Sequence, residues 1–258
     1  MTPSVRRLAE RLAANESMMI LGPTSSGKSH VGRIAIAHAL HRRPDSRAIV
    51  LLPTKALVTQ ACDEWNEFKR KTEQEPWRVL AGSRDYPEND EALIRGEFEI
   101  AILIPEKLAA LMANGMTLGG CGLLVVDELQ HLAEKDRGAR LEVLLTQIRK
   151  MHAGIPILGL SATLTDRSAE MVCKWLGIDT ETGLIQGSAR PVPLETIVCN
   201  GRQAKRLKAN KQDVDYPSQD LESIIKGWEE VPTIAEYLND VGHYKRGLAL
   251  SVAILDED

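Results

Sequence analysis

Short unbroken apolar runs punctuate this chain, separated by longer stretches in which apolar residues recur every three or four positions. The runs at 18–21, 48–52, 78–81, 100–104, 123–126 and 157–160 are too short for helices. Most lack the alternation of a sheet with one wet face, so they predict strands covered on both sides. The intervening stretches predict helices at 29–41, 56–71, 106–113, 139–151 and 166–176. Strand and helix in regular succession imply βαβ units with right-handed crossovers. The expected fold is α/β, with a mostly parallel sheet and helices on both faces. In such sheets ligands bind beyond the carboxyl ends of the strands, so the loops that follow the strands should carry the chemistry.

The pattern changes near residue 190. Arg190, Pro191, Val192 and Pro193 make a stiff, extended connector, because proline restricts both itself and its predecessor. From Gly201 the chain turns polar, and residues 201–211 hold five basic side chains and no acid. This basic run has two readings, a tract that follows a phosphate backbone and a solvated linker helix, of which the second is favoured. Residues 247–255, GLALSVAIL, faintly resemble a strand. The expected division is a first domain over 1–198 and a polar extension over 199–258, either linker or the start of a second domain.

Composition narrows the possibilities. With 32 Lys and Arg against 36 Asp and Glu, a formal net charge of −4, 43% hydrophobic and 26% charged residues, the chain reads as an ordinary soluble globular protein. The slightly acidic balance excludes a general cationic coat for nucleic acid and leaves room for a local groove. No apolar run approaches the roughly 18 residues of a bilayer helix, so no membrane partner is expected. The first 17 residues carry charge but no apolar segment, unlike a secretory signal. Cys62, Cys121, Cys173 and Cys199 lie far apart with no paired spacing, as expected of free thiols in the cytoplasm.

Two motifs carry chemistry. Directly after the first strand comes GPTSSGKS, comprising Gly22, Pro23, Thr24, Ser25, Ser26, Gly27, Lys28 and Ser29. The glycines let the backbone curl so that successive N–H groups point at phosphate oxygens. Lys28 brings a positive charge to the outer phosphates, and the Ser29 hydroxyl can ligate Mg2+. The helix that starts here adds its positive dipole end. The second motif ends the strand at 123–126 with Asp127 and Glu128. A carboxylate at that strand tip gives Mg2+ its second anchor, and the adjacent one can deprotonate a water. Taken alone, the acidic pair serves equally well as a helix cap.

The order GPTSSGKS, PTKALVTQ (53–60), PEKL (105–108), DELQ (127–130) and SATL (161–164) resembles the first RecA-like domain of a superfamily-two helicase. SRDYPEND (83–90), the segment 127–148 with its Arg137-Gly138, and RPVPLE (190–195) resemble the superkiller-like DExH branch. The resemblance covers about residues 15–198. It implies a nucleic-acid-dependent ATPase or helicase, with Lys28, Asp127, Glu128 and Gln130 as catalytic residues and Ser29 and Asp127 on the metal. It further implies that Ser161, Ala162 and Thr163 couple nucleotide state to movement, their hydroxyls reaching towards Gln130. Pro53, Thr54, Lys55, Pro105, Glu106 and Lys107 would grip the nucleic-acid backbone without reading sequence. The implied partners are single-stranded or partly duplex DNA or RNA, and a second RecA-like domain in cis or in trans.

The sequence departs from the family pattern at three places. Gln130 stands where His is usual, which keeps hydrogen bonding and removes a titratable group. Ile104 stands where Thr is usual before Pro105. No adenine-reading glutamine segment is evident before Ser17, so ATP rather than GTP rests on family likeness. No convincing second RecA-like domain follows residue 200, and the arginines such a domain supplies can be worth roughly 10³–10⁵ in turnover. These features leave a non-catalytic, nucleotide-gated adaptor on the same fold as the alternative. A small-molecule P-loop kinase ranks below both, because PTKALVTQ and SATL have no role in one.

Overall fold

The computed structural model of the chain describes residues 10–11, 14–22, 27–72, 77–162, 164–187, 194–199, 203–207, 219–220 and 248–253. Of the candidate site residues, Pro23, Thr24, Ser25, Ser26 and Thr163 lie outside these. The chain divides into two compact units, Met1–Ala189 and Arg190–Asp258.

In the first unit seven strands form one sheet: β1 (Met18–Leu21), β2 (Arg47–Leu51), β3 (Val79–Gly82), β4 (Ile100–Leu103), β5 (Cys121–Val126), β6 (Ile157–Ser161) and β7 (Leu184–Gln186). Their order is β3-β4-β2-β5-β6-β1-β7, and every pairing is parallel. The six apolar runs read from the sequence are six of these strands. The seventh, three residues long, is too short to leave a pattern.

Alternate residues of each strand feed two cores. Ala48, Val50, Ile100, Ile102, Leu123, Val125, Leu158 and Leu160 pack against Ala35, Ile36 and Leu40 of α1 (Lys28–Arg42) and Val58 and Trp65 of α2 (Lys55–Thr72). Ile49, Leu51, Ala101, Leu103, Leu124 and Val126 face the other way. They meet Ala92 and Leu93 of α3 (Asp90–Arg95), Leu108 and Leu111 of α4 (Pro105–Ala113), Leu141, Leu144 and Leu145 of α5 (Lys135–Met151) and Cys173 of α6 (Asp166–Leu176). Covering on both faces is why the strands read as continuous apolar runs. It also leaves the ends of the strands as the only sheet surface where polar groups can gather cheaply.

Two glycines decide how the loop after β5 lies on the sheet. A Cβ on Gly159, in β6, would sit 2.2 Å from Leu129 Cδ1. Gly159 therefore makes room for the wholly buried Leu129, which opens the short 3-10 segment Leu129–Ala133. A Cβ on Gly138 would sit 2.3 Å from the carbonyl oxygen of Leu132 and 2.7 Å from its carbonyl carbon. Gly138 thus lets the first turn of α5 press against that segment's backbone, while its own N–H donates to Glu134 O at 3.0 Å. The helix starts at Lys135 rather than at the expected 139, because this glycine packs inside the helix instead of ending it.

The second unit holds an antiparallel sheet of β8 (Leu194–Cys199), β9 (Gln203–Leu207), β10 (Gln219–Asp220) and β11 (Leu248–Ala253), in the order β10-β9-β8-β11. The favoured reading of 201–211 as a linker helix is therefore corrected, since Gln203–Leu207 is a strand. Leu207 pairs with Thr196 and Ala204 with Cys199. A backbone ladder against the β-branched run of β8 outweighs the weak helical preference of a charged ribbon. Within GLALSVAIL, Leu248–Ala253 forms β11.

Gly138→Ala should destabilise the protein by about 1–3 kcal/mol, because rigid backbone must move to accommodate the methyl group. Gly154→Ala, at a site with open space around it, should be near neutral. Thermal melts of the two variants against wild type check this. Equal melting temperatures would show that the α5 turn is not tightly seated.

Candidate functional site

β1 runs directly into the phosphate loop. Its pairing with β6 continues one residue further, where Gly22 N–H donates to Ser161 O at 3.1 Å. The loop re-enters the described chain at Gly27, whose φ of 83° lies in the left-handed region that side chains disfavour. α1 begins at the next residue, so its positive dipole end lies at Gly27. Lys28 is buried, and its ammonium donates to the carbonyl oxygen of Gly22 at 2.9 Å. Ser29 is exposed.

β5 delivers the acids to the same place. Asp127 N–H donates to Leu51 O at 3.0 Å, which extends the β5–β2 ladder and fixes the backbone at the strand tip. The Asp127 carboxylate accepts from the Glu128 N–H at 2.8 Å through one oxygen, and from the Ser29 hydroxyl at 3.4 Å through the other. Burial pushes its carboxyl above the usual carboxylate range, and the neighbouring Glu128 charge adds to this. Hydrogen bonds from Glu128 N–H and Ser29, and the positive charge of Lys28, act the other way. Glu128 adopts φ 55° and ψ 46°, a left-handed conformation uncommon for a side-chain-bearing residue. Such outliers persist where the surrounding structure over-determines them, and they cluster at functional sites.

Gln130 joins this pair to β6. Its Nε2 donates to the Glu128 carboxylate, while its Oε1 accepts from Ser161 Oγ at 2.7 Å and from Ala162 N–H at 3.2 Å. Ser161 is fully buried. One amide, with a donor end and an acceptor end, thus bridges the acid at one strand tip and the hydroxyl at the next. His131 turns the other way, to Glu134, and takes no part in this bridge.

Among the described residues no three His, Cys, Asp or Glu side chains converge as a metal cage. The available donors are one carboxylate and one hydroxyl, both hard oxygens, on a half-buried anion whose carboxyl is already pushed up by lost water. That set fits Mg2+, which keeps several waters and is held by few protein ligands together with phosphate oxygens.

The remaining candidates lie farther along the same strand-end edge, over β2, β4 and β3. The exposed Thr54 accepts the Leu57 N–H at 3.3 Å and so caps α2. Lys55, the first residue of α2, pairs with Asp85 at 2.9 Å. Pro105, Glu106 and Lys107 form the first turn of α4, where Pro needs no N–H partner. Lys107 is held by Asp90 at 2.6 Å. The structure therefore brings Lys28, Ser29, Asp127, Glu128, Gln130 and Ser161 together; Pro53, Pro105 and Glu106 line a pocket with Asp127 and Glu128, while Lys55 and Lys107 turn to the acids that follow β3. Sequence reasoning missed Asp85 and Asp90, the partners of those lysines, and Tyr86 and Asn89, which tie down the same stretch. They stand in the SRDYPEND stretch, but only the adjacency of β3, β4 and β2 puts it there.

Residues 2–172 match the family model described as DEAD/DEAH box helicase. The chain is 30% identical over 220 residues to the ATP-dependent DNA helicase Hel308 of Methanocella arvoryzae, covering 84% of this chain and 28% of that protein. It is 33% identical over 224 residues to the Hel308 of Thermococcus kodakarensis, covering 86% of this chain and 18% of that one. With Pyrococcus abyssi Hel308 it shares 32% identity over 193 residues, 74% of this chain and 25% of the relative. The chain thus spans between 18% and 28% of the length of these relatives. The crystal structure of the Pyrococcus furiosus Hef helicase domain shares the fold, with a TM-score of 0.54 at 22% identity over 72% of this chain and 38% of that one. With its motifs gathered on the strand tips of a RecA-like sheet, and with the family model matching most of its length, this chain belongs to the DEAD/DEAH box helicase family.

Proposed function

We propose that this chain is the ATP-binding motor domain of a nucleic-acid-dependent ATPase of the helicase class. The single observation that carries this reading is the approach of Ser29, beside Lys28 on the β1–α1 junction, to within 3.4 Å of Asp127 at the end of β5. Segments about a hundred residues apart in sequence meet where a triphosphate and its metal need both. The relatives named ATP-dependent DNA helicase support ATP as the nucleotide and DNA as the polymer.

In this reading the phosphate loop and the first turn of α1 receive the phosphates. Lys28 exchanges the Gly22 carbonyl for phosphate oxygens, a short swing that keeps its charge compensated. Ser29 and Asp127 hold the metal; Mg2+, when bound, neutralises charge on the outer phosphates. Glu128 takes the proton of the attacking water, and its backbone conformation sets where that carboxylate points. Gln130 orients Glu128 through one end of its amide and senses Ser161 and Ala162 through the other, which supports a relay between hydrolysis and movement. As Gln130 does not titrate, this relay carries no proton switch near neutral pH. Thr54 and Lys55, together with the helix start at Pro105 and Glu106, grip the backbone of a strand without reading its bases. Turnover calls for the arginines of a second RecA-like domain, in cis or in trans.

Phosphate release, measured with and without single-stranded DNA or RNA and with a second RecA-like domain added in trans, tests this. Glu128→Gln should keep nucleotide binding and lose about 10²–10⁴ in rate. Equal rates for Glu128→Gln and wild type under every condition would remove the enzymatic reading.

Asp127 supplies a second test by thermal melting. At a hundredfold excess of Mg2+·ATP over Kd the wild type should gain about 2.7 kcal/mol, and Asp127→Asn should gain almost none. In EDTA the Asp127→Asn protein should melt at or above wild type, since a desolvated charge is gone. The pH dependence follows from the raised carboxyl. Without metal, the stability that this group contributes is present in acid and declines as pH rises through its folded-state value. Metal-linked stabilisation runs oppositely and weakens as pH falls and protons compete for Asp127.

A further inference from the structure

The two lysines on the candidate nucleic-acid edge are both paired with acids from one loop, and the two pairs differ in kind. The loop follows β3. The buried Ser83 hydroxyl accepts the Asp85 N–H at 3.1 Å, the Tyr86 hydroxyl lies 2.9 Å from Thr59 Oγ1 on α2, and Asn89 Nδ2 donates to Ala81 O at 2.8 Å. These contacts fix the loop from both ends and aim Asp85 and Asp90 at the neighbouring strand tips. Lys107 donates to one carboxylate oxygen of Asp90 at 2.6 Å and lies 2.6 Å from the other, with 15% and 36% of the two side chains exposed. Lys55 meets one oxygen of Asp85 at 2.9 Å, with 43% and 57% of the two side chains exposed.

We infer that Asp85 is a built-in competitor for the strand, holding the Lys55 ammonium in the place where a backbone phosphate is to bind, whereas Lys107 stays with Asp90 and braces α4. This rests on the nucleic-acid reading above and deepens it. An exposed single-contact ion pair is worth little, so a phosphate monoanion can replace the carboxylate at small cost. A half-buried pair, with the lysine mostly out of water, exchanges less readily, because parting it leaves a poorly compensated charge. Lys55 is therefore the exchangeable cation of the pair, and the loop after β3 sets the affinity of the edge. A strand that leaves Lys55 gives it back to Asp85 rather than to water, which favours release during stepping.

The test uses the whole chain with fluorescein-labelled oligothymidylate and oligouridylate, titrated at several salt concentrations. Asp85→Asn should bind about two- to fivefold more tightly than wild type, the range by which an exposed pair competes. Lys55→Ala should bind more weakly, and its slope of log affinity against log salt should be shallower by about 0.7, one phosphate contact on a single strand. In the Lys55→Ala background Asp85→Asn should leave affinity unchanged, and Lys107→Ala should leave the salt slope unchanged. A melting temperature of Asp85→Asn equal to wild type establishes that the loop is intact. Should Asp85→Asn tighten binding equally with and without Lys55, Asp85 repels the strand at a distance and the inference fails. It also fails if Asp85→Asn binds like wild type, or if Lys107→Ala lowers the salt slope as Lys55→Ala does. Absence of binding by wild type itself overturns the nucleic-acid reading together with the inference.

Discussion

A carboxylate that the sheet has partly withdrawn from water, with a hydroxyl and an ammonium nearby, is the interaction on which the rest of this domain turns. Asp127 sits where it does because β5 is covered on both faces and its ladder with β2 runs on through the Asp127 N–H. Desolvation raises the cost of its charge, and Ser29 and Lys28 only partly offset it. A site in that condition favours any ligand that brings positive charge and oxygen donors together. Under the proposed function, nucleotide binding is linked to fold stability through this one side chain.

Two neighbouring residues convert this anchor into something that can report. The left-handed conformation of Glu128 breaks the strand direction and sends the chain into the 3-10 turn. Gly159 lets that turn lie flat on the sheet through Leu129, and Gly138 lets α5 close over it. The outcome is that Gln130 reaches Ser161 while still holding Glu128. Along the same edge, over β2 and β4, lysines are paired with acids. At both ends the cations already have partners, Gly22 O for Lys28 and Asp85 and Asp90 for Lys55 and Lys107.

Much of the fold was legible in the sequence. Double covering of a parallel sheet forces unbroken apolar runs, and six of the seven strands announce themselves that way. The phosphate loop and Asp127-Glu128 were legible because their chemistry needs particular residues in adjacent positions. What escaped were elements held by contacts rather than by periodicity. β7 and α3 are too short to show a period. β9 is a charged ribbon that becomes a strand only because β8 offers it a ladder.

The candidate site divides along the same line. Local order along the chain determined which residues could bind phosphate, ligate a metal or move a proton, because those capacities belong to single side chains and to the backbone of one loop. Which of them meet was decided only by the strand order β3-β4-β2-β5-β6-β1-β7. That order sets Ser29 against Asp127 and carries the acids after β3 to Lys55 and Lys107. Pairing of this kind has no trace in local sequence, since parallel strands choose their neighbours through crossover packing and the burial of whole faces.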